Sequence, residues 1–159
     1  MKTIYLLRHA DAQFSKNLTD FQRNLSAKGV EEATRLGKIM KKKNYHPDFV
    51  HCSQALRVNK TIETLDLRDT RIEESEKLYL GRASEYINAL QHTGNQYKEV
   101  LIVGHNPAIH DAVRFLVQYA DDIRLMSYRP CTLTVLKTSI SDWNDLSSGN
   151  AAVQDIIVP

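Results

Sequence analysis

Long apolar runs are missing from this 159-residue chain. No stretch approaches the ~20 consecutive apolar residues of a membrane-spanning helix. Only Met1 and Lys2 precede the first apolar run, which is too short for a secretory leader and is followed at once by charge, so none is expected. Cysteine is scarce: there are two, Cys52 and Cys131, far apart and at no zinc-site spacing. Both fall in or beside strand-like segments. The expectation is therefore two buried free thiols, no disulfide scaffold, and a reducing, cytoplasmic location. An excess of one charge is also lacking. Against 19 acidic residues stand 21 Lys and Arg, a net charge of +2. No basic stripe interleaved with aromatics appears, so neither nucleic acid nor membrane is an expected partner. The longest basic run, Lys41-Lys42-Lys43, reads as the solvated last turn of a helix, where cations suit the macrodipole. Repeats, low-complexity segments and dividing linkers are absent too, so residues 1–159 are expected to form a single domain. The chain is long enough to bury a substantial core.

Strand and helix signals alternate along what remains. Residues 2–8 read as a buried strand and residues 11–25 as a polar loop. Ser26 can cap a helix to about Lys43, with Val30, Ala33, Leu36, Gly37 and Met40 on one face. Residues 49–52 form a short strand, and Ser53 is placed as the cap of a helix to about Leu67. Residues 72–80 are expected to be extended, and residues 83–92 helical. Val100-Leu101-Ile102-Val103 is the clearest buried strand; Pro107 suits the first position of a helix to about Tyr119. Residues 132–137 and 152–158 alternate like late strands, joined by a turn-rich link. The alternation predicts a three-layer α/β/α sandwich with a mostly parallel sheet. The last link is too short for a helical crossover, which predicts an antiparallel edge strand.

Three strand ends carry matching chemistry. Arg8 and His9 follow the first strand. Ser53 and Arg57 follow the second. Gly104, His105 and Asn106 follow the strand at 100–103. In an open α/β sheet, ligands bind beyond such carboxyl ends. Arg is a permanently charged fork suited to phosphate, and His is a nucleophile or acid/base near neutral pH. Two helix N-termini would add amides and dipoles that favour an anion. The pattern reads as a dianion cradle with a nucleophile inside. In the loop, Arg23 would be a third guanidinium over the phosphate, and Asp20 would orient an Arg or the loop.

These blocks resemble the histidine phosphatase, or phosphoglycerate-mutase-like, superfamily, and within it the small SixA-type phosphohistidine phosphatases. The strand-then-Arg-His-Gly/Ala opening matches Leu7-Arg8-His9-Ala10. The signature Asp-x-x-Arg-x-Leu-Ser/Thr-x-x-Gly matches Asp20, Arg23, Leu25, Ser26 and Gly29. Ser-x-x-x-Arg-x-x-x-Thr matches Ser53, Arg57 and Thr61, and Gly/Ser-His-x-Pro matches Gly104-His105-Asn106-Pro107. The resemblance implies a phosphoglycerate-mutase-like core without a cap domain. It further implies that His9 attacks phosphorus to form a covalent phosphohistidine that water hydrolyses. Arg8, Arg57 and His105 would hold the equatorial oxygens, with Arg23 and Asn106 completing the phosphate site and Asp20 and Ser53 in support. The cations would do the work of magnesium, so no metal or other cofactor is required.

Larger members carry a Glu as general acid after a mid-chain strand, and near Leu78-Tyr79-Leu80 no Glu stands in that place. Glu76 and Glu85 flank it, and Asp11 lies two residues past His9. An alkoxide leaving group needs such an acid; a phosphohistidine, with its labile P–N bond, needs less help. The expected substrate is therefore a protein phosphohistidine. A small-molecule phosphomonoesterase or phosphoramidase is the alternative, and a non-catalytic phosphate-binding module is a third reading. The remaining histidines have plainer roles: His46 solvated, His51 packed, His92 at a helix end. His105, His110 and Asp111 are poorly spaced for a shared metal. Tyr79, Tyr86 and Tyr97 are expected to pack at the core margin.

Overall fold

The structure is a computed structural model that describes residues 1–117 and 127–159. Strand β1, Lys2–Arg8, sends Ile4 and Leu6 to one face and Tyr5 and Leu7 to the other, all four buried. A strand covered on both faces explains why this run is apolar throughout rather than alternating. There follow α1 (Ala27–Lys42), β2 (Phe49–Ser53), α2 (Leu56–Leu65), β3 (Arg71–Ser75), α3 (Lys77–Leu80) and α4 (Ala83–Gln91). Then come β4 (Glu99–Gly104), α5 (Ala108–Leu116), β5 (Leu133–Thr138) and β6 (Ala151–Ile157). Single 3-10 turns stand at Asp20–Gln22 and Trp143–Asp145.

The six strands lie in the order β3-β2-β4-β1-β5-β6. The first four pair in parallel; β5 runs antiparallel to β1, and β6 antiparallel to β5. The expected antiparallel pairing is present at that edge. The strand that opposes the rest is β5, while β6 at the rim returns to the common direction. On one face α1 and α2 pack Ala33, Leu36, Met40, Val58 and Ile62 against Tyr5, Leu7 and Val103. On the other, α4 and α5 pack Leu90, Ile109 and Val113 against Ile4, Leu6 and Ile102. The result is a three-layer α/β/α sandwich. Each of the Val, Leu, Ile and Met side chains among these contributes about 1.5–3 kcal/mol on burial.

The structure corrects several local expectations. Val30 is exposed; Gly29 rather than Val30 turns inward on α1. Ser53 is the last residue of β2 and does not cap α2, because Ala55 stays extended at the cap and the Ser53 hydroxyl is drawn to another partner. The segment 72–80 is extended only to Ser75, after which Glu76 turns into α3. The polarity of β3 reflects its place at the sheet edge. Pro107 is the cap of α5 rather than its first residue, and the helix ends at Leu116. The expected extension to Tyr119 runs into residues 118 and 119, outside the described residues. Cys52 and Cys131 are buried and free. Among the described residues no helix is long and apolar enough to cross a membrane.

Candidate active site

β2, β4 and β1 are adjacent, and their carboxyl ends are level: Arg8 lies opposite Gly104, and Cys52 opposite Val103. Register alone therefore gathers His9, Arg57 and His105 at one edge of the sheet. The backbone of His9 is fixed by its N–H to the Gly104 carbonyl and by its own carbonyl to the Cys131 N–H. Ala10 N–H donates to Thr61 Oγ1, whose hydroxyl donates to the Arg57 carbonyl. Thr61 thus ties the loop after β1 to the first turn of α2.

The ring of His9 is in one tautomer, because its partners allow no other. Nδ1 lies 2.8 Å from the Ala10 carbonyl, which can only accept, so Nδ1 carries the proton. Arg57 Nε, which can only donate, lies 3.2 Å from Nε2. The Nε2 lone pair therefore faces the cations. Burial first, and then the neighbouring His105 ring and the charges of Arg57 and Arg8, push the His9 pKa down to about 3, against the Ala10 hydrogen bond. The imidazole is neutral at physiological pH. By the same reasoning Arg57 Nη2 donates to His105 Nδ1 at 3.3 Å, and His105 Nε2–H donates to Ser53 Oγ at 2.8 Å. Burial and Arg57 push His105 down to about 4.

Arg57 is buried and held on its outer side by one residue. Its Nη1 donates to the Asp20 carbonyl at 2.6 Å and Nη2 to Asp20 Oδ2 at 3.0 Å. Asp20 also accepts from Arg23 Nη1 at 3.1 Å and from the Tyr79 hydroxyl at 2.8 Å. Tyr79, Arg57 and Arg23 together hold its pKa down to about 2. Arg8 Nη1 and Asn106 Nδ2 both donate to the Tyr128 carbonyl, while Arg8 Nε and Asn106 Oδ1 are buried with no hydrogen-bond partner among the described residues. Arg8, His9, Arg23, Arg57, His105 and Asn106 line a common cavity of about 260 Å³. Three guanidinium groups around a neutral imidazole suit a small dianion such as phosphate.

All eight residues singled out from the sequence thus meet in this region. Six line the cavity, and Asp20 and Ser53 stand directly behind Arg57 and His105. Of the three candidate acids only Asp11 lines the cavity, and its Oδ2 accepts from the Ser26 hydroxyl at 2.6 Å. Glu76 and Glu85 do not line it. Among the described residues no group of three or more His, Cys, Asp or Glu is placed to hold a metal ion.

Sequence reasoning missed two tyrosines. Tyr86 is not at a margin but fully buried: its hydroxyl accepts from His105 N–H at 3.0 Å and donates to the Leu78 carbonyl at 2.9 Å. Gly104 makes room for it, since a Cβ there would lie 2.1 Å from that hydroxyl. Tyr79 anchors Asp20 and sets its ring edge-on to His105 and to Phe21. No local pattern distinguishes either from a packing tyrosine.

Residues 4–79 match the model of the histidine phosphatase superfamily (branch 1). The chain is similar to a protein from Nakamurella multipartitia provisionally named phosphohistidine phosphatase SixA. Identity is 27%, coverage is 99% of this chain and 96% of that one, and the TM-score is 0.91. It is also similar to the protein histidine phosphatase SixA complexed with tungstate, at 20% identity, 99% and 97% coverage and TM-score 0.81. A phosphoglycerate mutase from Plasmodium falciparum matches at 18% identity, 97% and 89% coverage and TM-score 0.63. The last two bear on the fold, which is phosphoglycerate-mutase-like.

Proposed function

We propose that this chain, whose residues 4–79 match the histidine phosphatase superfamily, is a metal-independent phosphatase that removes phosphate from protein phosphohistidine through a covalent phosphohistidine on His9. The likeness to SixA supports a hydrolase; the substrate and the roles of individual residues are our reading. The observation that carries it is the His9 Nε2 lone pair, presented by the Nδ1–H···O=C bond to Ala10 inside a ring of cations.

In that reading Nε2 attacks phosphorus as the substrate P–N bond breaks. The leaving imidazole keeps the bonding pair and takes a proton from water. Arg57 exchanges its bonds to His9 and His105 for phosphoryl oxygens, and Arg8, Arg23, His105 and Asn106 hold the rest. Charge is thus met where it develops. Water then attacks the phosphohistidine, phosphate departs, and His9 returns to its neutral tautomer. Imidazole leaves readily, which suits a site where Asp11, the one cavity-lining carboxylate among the described residues, is engaged by Ser26. That carboxylate is also the one observation favouring the alternative, a small-molecule phosphomonoesterase with Asp11 as its acid. Two buried free thiols suit a cytoplasmic enzyme, and residues 1–159 are read as a single domain.

The test is hydrolysis of a histidine-phosphorylated protein beside p-nitrophenyl phosphate, both in EDTA, with wild type and His9→Ala. Preference for the phosphohistidine, lost in the variant by several orders of magnitude, is expected. Activity retained in His9→Ala removes the nucleophile assignment. Activity that EDTA abolishes and a divalent metal restores removes the metal-free mechanism. Better ester than phosphohistidine hydrolysis selects the alternative.

A further inference from the structure

Tyr128 stands outside the four sequence blocks that build the phosphate site, between α5 and β5, and is buried. Its backbone carbonyl accepts from both Arg8 Nη1, at 2.8 Å, and Asn106 Nδ2, at 2.9 Å. Among the described residues it is the one hydrogen-bond acceptor on the Arg8 side chain, and no carboxylate forms an ion pair with that guanidinium. Arg57, by contrast, is aimed by the charged Asp20. A neutral carbonyl fixes a guanidinium fork without cancelling the charge that a dianion needs.

The Tyr128 side chain sets where that carbonyl lies. Its hydroxyl is 2.9 Å from the Leu6 carbonyl and 2.9 Å from Thr134 Oγ1. A carbonyl can only accept, so the phenol donates to Leu6 and accepts from Thr134. Leu6 and Thr134 are cross-strand partners on β1 and β5, and Leu6 lies two residues before Arg8. The ring stacks on His110 of α5, with centroids 5.2 Å apart and planes at 16°. Further along, Cys131 N–H bonds the Arg8 and His9 carbonyls, so this segment is tied to the end of β1 as well. A phenylalanine would fill the same core space. The hydroxyl adds a fixed span between the Tyr128 backbone and the strand that carries Arg8.

We propose that Tyr128 is a positioning residue for phosphoryl transfer: its hydroxyl anchors it to β1 and β5, and its carbonyl aims the Arg8 guanidinium into the phosphate cavity. The proposal rests on the phosphoryl site read above and adds what orients Arg8 within it.

The test is a double-mutant cycle of Tyr128→Phe and Arg8→Lys. Two quantities are measured: kcat/KM on a histidine-phosphorylated protein or p-nitrophenyl phosphate, whichever wild type hydrolyses, and the Kd of tungstate as a dianion probe. Arg8→Lys keeps a charge but has no fork to aim. Tyr128→Phe should lower kcat/KM about tenfold and weaken tungstate to a similar extent, short of the ~100-fold that a 1 Å misplacement costs. In the Arg8→Lys background the same substitution should cost less than about twofold, since no guanidinium is left to orient. Equal losses in both backgrounds, or an unchanged tungstate Kd with a lowered Tm, would show that the hydroxyl serves the core alone and overturn the proposal. Thr134→Val, which removes only the donor to that hydroxyl, takes the place of Tyr128→Phe if the latter does not fold. A wild type that binds tungstate with this coupling but hydrolyses neither substrate overturns the phosphatase reading and leaves Tyr128 as the residue that orients Arg8. A wild type that neither binds tungstate nor hydrolyses either substrate overturns both.

Discussion

Tyr86→Phe removes one oxygen, and the structure says what that oxygen does. It satisfies two buried backbone groups, the His105 N–H and the Leu78 carbonyl, at 3.0 and 2.9 Å. Phenylalanine keeps the ring and its packing, so the loss is almost purely polar. The vacated space is hydroxyl-sized and walled by Gly104, too small for a water with its own partners. Each orphaned group costs about 1–3 kcal/mol, so the pair should cost about 2–6 kcal/mol. For a domain of this length that lowers Tm by roughly 4–24 °C. Activity should fall as well, because His105 is hung from this hydroxyl through its own backbone. A displacement of about 1 Å in a catalytic constellation costs on the order of 100-fold. Thermal unfolding by circular dichroism and kcat/KM on a phosphohistidine substrate measure the two effects. A Tm within about 2 °C of wild type together with unchanged kcat/KM would refute the reasoning. The result would mean that the hydroxyl neither supports the fold nor holds His105.

Arg57→Lys keeps the charge but cannot reach His9, His105 and Asp20 at once; kcat/KM should fall by roughly 10²–10³-fold with the circular dichroism spectrum unchanged, and a loss under about tenfold would show that charge alone suffices. Acid should destabilise the fold: with His9 held down to about 3 and His105 to about 4, the unfolded chain binds more protons as pH falls below the ordinary histidine value of ~6.5, so stability is full above it and declines toward pH 4. Asp20, held down to about 2, acts in the same direction at lower pH, and a Tm that stays flat from about pH 7 to 4.5 would mean that neither imidazole is buried neutral.

Much of this site was legible because its residues stand beside strong local signals. Arg8 and His9 end an apolar run, His105 and Asn106 end another, and a parallel sheet brings such ends together whatever the details. The sheet edges were less legible. β3 is polar because solvent covers it, so its end at Ser75 left no break in pattern. Ser53 was misplaced for a related reason: a serine before a helix looks like a cap, and only the third dimension shows His105 closer to its hydroxyl. Tyr86 and Tyr79 lay beyond sequence reasoning altogether. Their hydroxyls bond to Leu78 and His105, and to Asp20, across distances that no periodicity encodes. The glycine that admits Tyr86, Gly104, was visible only as part of a turn.

The placement of Asp20 bears on the missing acid. A carboxylate beside a site for a dianion is electrostatically unfavourable, yet it stands 3.0 Å from Arg57. The guanidinium has two sides, and Asp20 occupies the outer one with its carbonyl and Oδ2. Nε and the second N–H of Nη2 are thereby aimed at His9 and His105, where a phosphoryl group would sit. Orientation of the fork offsets some repulsion, and Arg23 and Tyr79 share the carboxylate's charge. The same contacts hold Asp20 ionised down to a pH of about 2, so it has no proton to give a leaving group at neutral pH. The carboxylate best supplied with hydrogen-bond donors in this region is therefore fitted to position Arg57 and unfitted to act as an acid. With Asp20 engaged in this way and Asp11 held by Ser26, the site fits the proposed leaving group, a phosphohistidine imidazole, which needs no strong acid.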